Sequence, residues 1–291
     1  MEAHAPRAQR SRCEIVAIGD VRLAVYERPG ADPPILFLHA TGFHAQCWNE
    51  VIGRLDSHRT IAFDARGHGR SSKPEPPYKW RDFGRDAAAL TRGLGLKGAI
   101  AVGHSMGAHS AALAAALEPA AFRSLLLIEP VIFPRDHYKG PSAELGMVRK
   151  RRNHWASWDD MYQRFKDRRP FDRWNRKVLL DYCEHALAPA PDGNGLVLAC
   201  PPAVEASIYS HASDPDSNIY ADLARIQIPV TVVRAARFTD FREDFSSSPT
   251  GPDVATHFPN ARDLHFPDHS HFLPMEAPDL VADLVKQAIK P

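Results

Sequence analysis

Short, nearly continuous apolar runs alternate along this chain with segments whose apolar positions recur every three or four residues. Runs at 35–38, 60–63, 99–102, 124–128 and 229–233 have the length and composition of strands buried on both faces. Two further strand-like runs, 15–18 and 21–26, flank Gly19-Asp20, which predicts a hairpin turn. A shorter strand is expected at 264–266. Between these runs, Phe83, Ala87 and Leu90 share one helical face, and the Ala- and Leu-dominated stretch 108–117 reads as a helix. Leu280, Val281, Leu284, Val285 and Ile289 form the stripe of a last helix at about 277–289. Strands alternating with helices imply an α/β domain built on a mostly parallel sheet.

The pattern breaks in the middle. From about 135 to 215 the chain is rich in Arg, Trp and Pro and shows no clear buried strand, which predicts an inserted helical cap. The expected organisation is a flexible segment at 1–13, a core made of 14–134 and 216–291, and a cap at 135–215. At 291 residues, with 44% hydrophobic and 24% charged residues, the chain can bury a full core. A formal charge of +1 gives no reason to expect nucleic acid or an acidic membrane as a partner. Cys13, Cys47, Cys183 and Cys200 have neither C-x-x-C nor zinc-ligand spacing and read as reduced, structural thiols. No stretch looks like a secretory signal or a membrane span, so a cytoplasmic location is expected.

The stretch Gly103-His104-Ser105-Met106-Gly107 lies between the strand at 99–102 and the helix at 108–117. A G-x-S-x-G sequence in that position describes a sharp turn that exposes a nucleophilic serine above the sheet edge. A serine hydroxyl needs a base to take its proton, and the base needs a carboxylate to orient it. His271, on a loop between the last strand and the last helix, is the expected base; His269 is its rival, and His265 belongs within the strand. For the acid, Glu129 follows directly on the apolar run 124–128, whereas Asp240 lies seven positions past Val233 in a charged segment. A carboxylate abutting the end of a buried strand is costly to place there without a partner, which favours Glu129 over Asp240. Two backbone donors are needed for the oxyanion, and Met106 and Thr41 are the candidates, the latter in the loop His39-Ala40-Thr41-Gly42.

Together these residues resemble the α/β-hydrolase superfamily of serine hydrolases with a cap domain. His39-Ala40-Thr41-Gly42 resembles its oxyanion H-G-x-x loop, with Ala40 in place of the usual glycine. The turn from Asp64 to Ser71, Asp-Ala-Arg-Gly-His-Gly-Arg-Ser, resembles a structural D-x-R-G-H-G-x-S turn. Ser270-His271-Phe272 resembles the catalytic-histidine segment, and the order Ser105, acid, His271 is the superfamily's. The aspartate common after the seventh strand is absent from Arg234-Ala235-Ala236-Arg237. That absence suits branches with the acid after the sixth strand, such as haloalkane dehalogenases and zearalenone lactonase-like enzymes. Serine at the nucleophile position argues against dehalogenase and epoxide hydrolase chemistry.

The resemblance implies an α/β-hydrolase fold and hydrolysis of a small to medium, largely apolar carboxylic ester or lactone through an acyl-enzyme. No metal or organic cofactor is called for, and the expected partner is a small-molecule substrate, with a monomer and a homodimer both open. C–C hydrolase, amidase and perhydrolase activities share the same triad, and a non-catalytic receptor could share the fold. Trp155, Trp158 and Tyr162, at roughly helical spacing with Phe165, are candidate substrate-binding aromatics or packing residues of the cap. The basic run from Arg149 to Arg152 reads as a solvated helix face.

Overall fold

The computed structural model describes residues 11–55, 57–141, 146–235 and 246–290. In chain order it runs β1 (Arg12–Ile18), β2 (Val21–Arg28), β3 (Ala31–Leu38), α1 (Asn49–Ile52), β4 (His58–Phe63), α2 (Trp80–Gly93), β5 (Ala99–His104), α3 (Met106–Leu117) and β6 (Phe122–Ile128). Then come α4 (Gly146–Arg149), β7 (His154–Trp155), α5 (Trp158–Phe165), α6 (Arg176–His185), β8 (Leu187–Pro189), β9 (Leu196–Leu198) and α7 (Pro202–Ser210). The chain closes with α8 (Tyr220–Leu223), β10 (Val230–Ala235), β11 (Ala261–Phe266), α9 (Leu273–Glu276) and α10 (Pro278–Ile289).

Eight strands form one sheet in the order β1-β2-β4-β3-β5-β6-β10-β11. The β1–β2 and β2–β4 pairs are antiparallel, and every other pair in that sheet is parallel. Its central strands are apolar on both faces because both are covered. On one side, Leu36, Ala101 and Leu127 pack against Phe83, Leu90 and Leu113 from α2 and α3. On the other, Ile35, Phe37 and Val102 pack against Trp48, Val281 and Val285. The ends of β3, β5, β6 and β10 thus lie together at one edge, where sites form in open α/β sheets. Among the described residues, no helix is long and apolar enough to cross a membrane.

Three expectations change. Arg12 and Cys13, placed in a flexible segment, pair with Glu27 and Tyr26 in β1 and β2, because the hairpin carries its alternation two residues further back. The middle of the chain does contain strands: β7, β9 and β8 form a second, antiparallel sheet. They are two or three residues long, too short to leave a periodic signal. Trp155, Met161, Trp174, Leu179, Tyr182 and Leu198 make a separate hydrophobic cluster, which also takes in Cys47 and Met275. By contrast Val204 and Ile208 of α7 join the main core, so the end of the insertion packs with the sheet-flanking helices.

Phe37 is fully buried on β3, with its ring centroid 5.2 Å from that of Trp48. Phe37→Ala is expected to cost about 3–5 kcal/mol of unfolding free energy, read from the midpoint and slope of urea denaturation.

Candidate active site

Ser105 sits between the end of β5 and the start of α3 at φ 58° and ψ −120°, a conformation that L residues rarely adopt. Such a backbone costs on the order of 1–3 kcal/mol and persists only where the surroundings impose it. The two flanking glycines show how. A Cβ at Gly103 would lie 2.5 Å from the Ala108 Cα, and one at Gly107 would lie 2.3 Å from the Leu38 carbonyl oxygen. Strand, turn and helix pack too closely for any side chain at either position. The Ser105 N–H donates to Ile128 O at 3.0 Å, which ties the turn to the end of β6.

The next residue after β6 is Glu129, also at positive φ (50°) and fully buried. Its N–H donates to Val233 O at 2.7 Å, fixing it to β10. One carboxylate oxygen accepts from the Ala235 N–H and from Ser248 Oγ, the latter at 2.9 Å. The other lies 3.1 Å from His271 Nδ1. His271 Nε2 is 3.0 Å from Ser105 Oγ. With Nδ1–H donating to the carboxylate, Nε2 is left as the acceptor facing the serine hydroxyl. The His271 backbone is held at both ends, its N–H donating to Ser246 O at 2.9 Å and its carbonyl accepting from His104 Nε2 at 2.8 Å.

The two rival histidines fall elsewhere. His269 pairs with Glu276 at 3.2 Å, and His265 is an exposed residue of β11. Asp240 lies outside the described residues. Ser248 is a partner of Glu129 that sequence reasoning missed; nothing distinguishes it in the run Ser246-Ser247-Ser248.

The loop after β3 is fastened by buried polar side chains. The Ala65 N–H donates to His39 Nε2 at 2.9 Å, and the Gly42 N–H donates to His68 Nε2 at 3.0 Å. Asp64 accepts from the Ala45 and Arg70 N–H groups, each at 2.9 Å. The Asp64–Ser71 turn therefore serves as the clamp of this loop. Among the described residues, the N–H groups of Thr41 and Met106 have no hydrogen-bond partner, and neither has the buried Thr41 Oγ1.

Beside this loop lies a cavity of about 410 Å³, bounded by Thr41, Gly42 and Phe43 on one side and by Trp155, Trp174 and Tyr182 on the other. Of the expected aromatics, Trp155 lines it, whereas Trp158 is 41% exposed and Tyr162 packs into the aromatic cluster without reaching the cavity. The three were read as lying at roughly helical spacing, but Trp155 belongs to β7 and α5 starts only at Trp158, after Ser157 caps it by accepting from the Asp160 N–H. The basic run is corrected too. Arg149 and Lys150 are exposed, but Arg151 turns inward, 2.5 Å from Glu205.

Cys47, Cys183 and Cys200 are buried and free, and burial raises all three thiols, that of Cys183 to about 12. Among the described residues, no group of three or more His, Cys, Asp or Glu side chains could hold a metal ion.

A family model for alpha/beta hydrolases matches residues 35–284. The chain belongs to the alpha/beta hydrolase family. It is 42% identical over 115 residues, 39% of this chain, to the 2-(acetamidomethylene)succinate hydrolase of Mesorhizobium japonicum, covering 41% of that relative. It is 37% identical over 101 residues, 34% of this chain, to a non-heme chloroperoxidase of Streptomyces lividans, covering 37% of it. These matches span less than half the length of either relative. In fold, it resembles the crystal structure of E-2-(acetamidomethylene)succinate hydrolase at a TM-score of 0.78, with 24% identity, over 97% of this chain and 100% of that one.

His39, His44, His68, His104 and His109 are all buried, and burial lowers each below the ordinary imidazole value, His44 and His109 to about 4. The unfolded chain therefore binds more protons than the folded one below pH ~6.5, and stability falls as the pH drops toward the folded-state values. Each such histidine contributes a slope of about 1.4 kcal/mol per pH unit within its window. Urea midpoints should fall steeply between pH 7 and pH 5; equal midpoints would mean these imidazoles are not held neutral.

Proposed function

We propose that the chain is a serine hydrolase that cleaves a carboxylic ester or lactone through an acyl-enzyme, with Ser105, His271 and Glu129 as its triad. The observation that carries this reading is the unbroken hydrogen-bonded series from Glu129 through His271 to the strained Ser105.

In the first half-reaction Ser105 Oγ bonds to the substrate carbonyl carbon while its proton passes to His271 Nε2. Glu129 stabilises the imidazolium without taking the proton. The carbonyl oxygen becomes an oxyanion, which the N–H groups of Thr41 and Met106 receive. Collapse breaks the bond to the leaving alcohol, which takes the proton from His271. Water then repeats the sequence on the acyl group, releasing the acid and restoring Ser105. In this reading the segment from β7 to α6 is the cap over the site, and Trp155 is its substrate-facing aromatic. Amide cleavage is the second reading, favoured by the acetamido group in the name of the Mesorhizobium japonicum relative.

The test is release of p-nitrophenol from acetate, butyrate and octanoate esters. Ser105→Ala should lower turnover more than about 10³-fold with the fold intact. Glu129→Gln should lower it roughly 10²- to 10⁴-fold, and Asp240→Asn far less. A Ser105→Ala protein that retains substantial turnover removes the serine from the chemistry, and the reverse ranking of the two acids moves the triad carboxylate to Asp240.

A further inference from the structure

The cavity lined by Thr41 and by Phe272, the neighbour of His271, has walls of two kinds. Most of it is aromatic and aliphatic, including Phe43, Val148, Phe165, Phe171 and Phe272. Its charged lining, however, is three arginines, Arg151, Arg152 and Arg164, against one carboxylate, Glu205. Such an excess of one sign is not what a pocket for a wholly apolar acyl chain requires, since each guanidinium near apolar walls carries a desolvation cost.

Arg151 is the inner member. Its Nη1 lies 2.5 Å from Glu205 Oε2 and its Nη2 lies 3.3 Å from Tyr182 Oη. Burial opposes its charge, but Glu205 and Tyr182 outweigh that effect and hold the guanidinium protonated. Those two contacts use two of its five N–H donors. The pairing also fixes the plane of the fork, so a bound anion would meet donors already oriented. Arg152 lies at the rim, stacked on Trp155 with its guanidinium carbon 4.1 Å from the ring centroid, and pairs with Asp160 at 2.6 Å. Arg164 is exposed and has no ion pair among the described residues.

The position of Arg151 relative to the reacting end is fixed through Gly42. A Cβ at Gly42 would lie 2.8 Å from Glu205 Oε1 and 3.7 Å from Arg151 Nη1. Gly42 follows Thr41, whose N–H is the proposed oxyanion donor. The half-buried guanidinium thus stands against Gly42, the residue next to the proposed oxyanion donor Thr41.

We propose that this cavity selects substrates carrying a carboxylate a few bonds from the scissile carbonyl, with Arg151 as its principal receptor and Arg152 and Arg164 drawing the anion in at the rim. The proposal rests on the hydrolase reading and names its substrate class. It also sets a sign that an apolar pocket cannot mimic, because a neutral cavity rejects a carboxylate in favour of a methyl group of similar size.

The experiment compares monoethyl glutarate with ethyl pentanoate, which differ in a terminal carboxylate against a methyl, by kcat/KM of the full chain. Wild type should prefer the glutarate ester by at least about tenfold, as one or two charge-assisted hydrogen bonds would give. Arg151→Met should lower that preference ratio at least about tenfold, mainly through KM of the glutarate ester. If Arg151→Met fails to fold because Glu205 is left alone, Arg151→Met/Glu205→Gln removes both charges and should show the same loss. A wild type that prefers ethyl pentanoate overturns the carboxylate proposal and leaves the hydrolase reading standing. If neither ester is cleaved, calorimetry with glutarate separates the two claims. Glutarate binding that Arg151→Met abolishes keeps the anion site and removes ester hydrolysis, and no binding by wild type removes the anion site as well.

Discussion

A carboxylate with no access to water has to be satisfied by the protein around it, and Glu129 imposes that requirement on four separate pieces of chain. Its oxygens gather His271 Nδ1, the Ala235 N–H and Ser248 Oγ, while its own N–H is bound to Val233. The end of β6, the end of β10, the segment around Ser248 and the loop bearing His271 are thereby fixed relative to one another. Leaving any of those lone pairs unmet inside the protein would cost several times what a surface hydrogen bond contributes. Placement of the histidine is thus a by-product of satisfying the acid, and the strained backbone at both Ser105 and Glu129 is held by the same edge of the sheet.

The loop carrying Thr41 depends on a different chemistry. It is anchored by uncharged imidazole nitrogens that accept backbone N–H groups, and by Asp64, which ties the loop to the Asp64–Ser71 turn. Buried imidazoles accept only while neutral, so their burial and their structural role support each other. The small-residue sequence of that turn follows from the same packing. A Cβ at Gly69 would lie 2.1 Å from Asp64 Oδ2, where the carboxylate must sit to accept from Arg70.

The strands of the sheet and the serine turn were legible because they depend on local pattern. Apolar runs such as Ile35 to Leu38 have one plausible environment, and Gly103 and Gly107 stand where only glycine fits. Glu129 was legible for a related reason, as an acid directly after a buried strand. What stayed hidden depends on contacts between residues far apart in sequence. Arg151 is one of four consecutive basic residues, and only its meeting with Glu205, 54 positions on, sets it apart from Arg149 and Lys150. Trp158 and Tyr162 were misplaced because helical spacing carries no information across a break, and the chain changes from β7 to α5 between Trp155 and Trp158.

Phe43 links these two systems. It belongs to the loop that offers Thr41, yet its ring lies 5.7 Å from Trp174, 5.4 Å from Tyr182 and 6.3 Å from Phe272, centroid to centroid. The residues that shape the cavity are therefore packed directly on the strand of chain that would bind the oxyanion. Close-packed aromatics do not move independently. An altered wall at Trp174 is felt at residue 43, and substitutions made to widen or narrow the pocket will combine non-additively with those that alter rate. For this protein, evolution and engineering face a single coupled variable where the sequence suggests two, and a reshaped cavity has to be selected together with the geometry of the loop after β3.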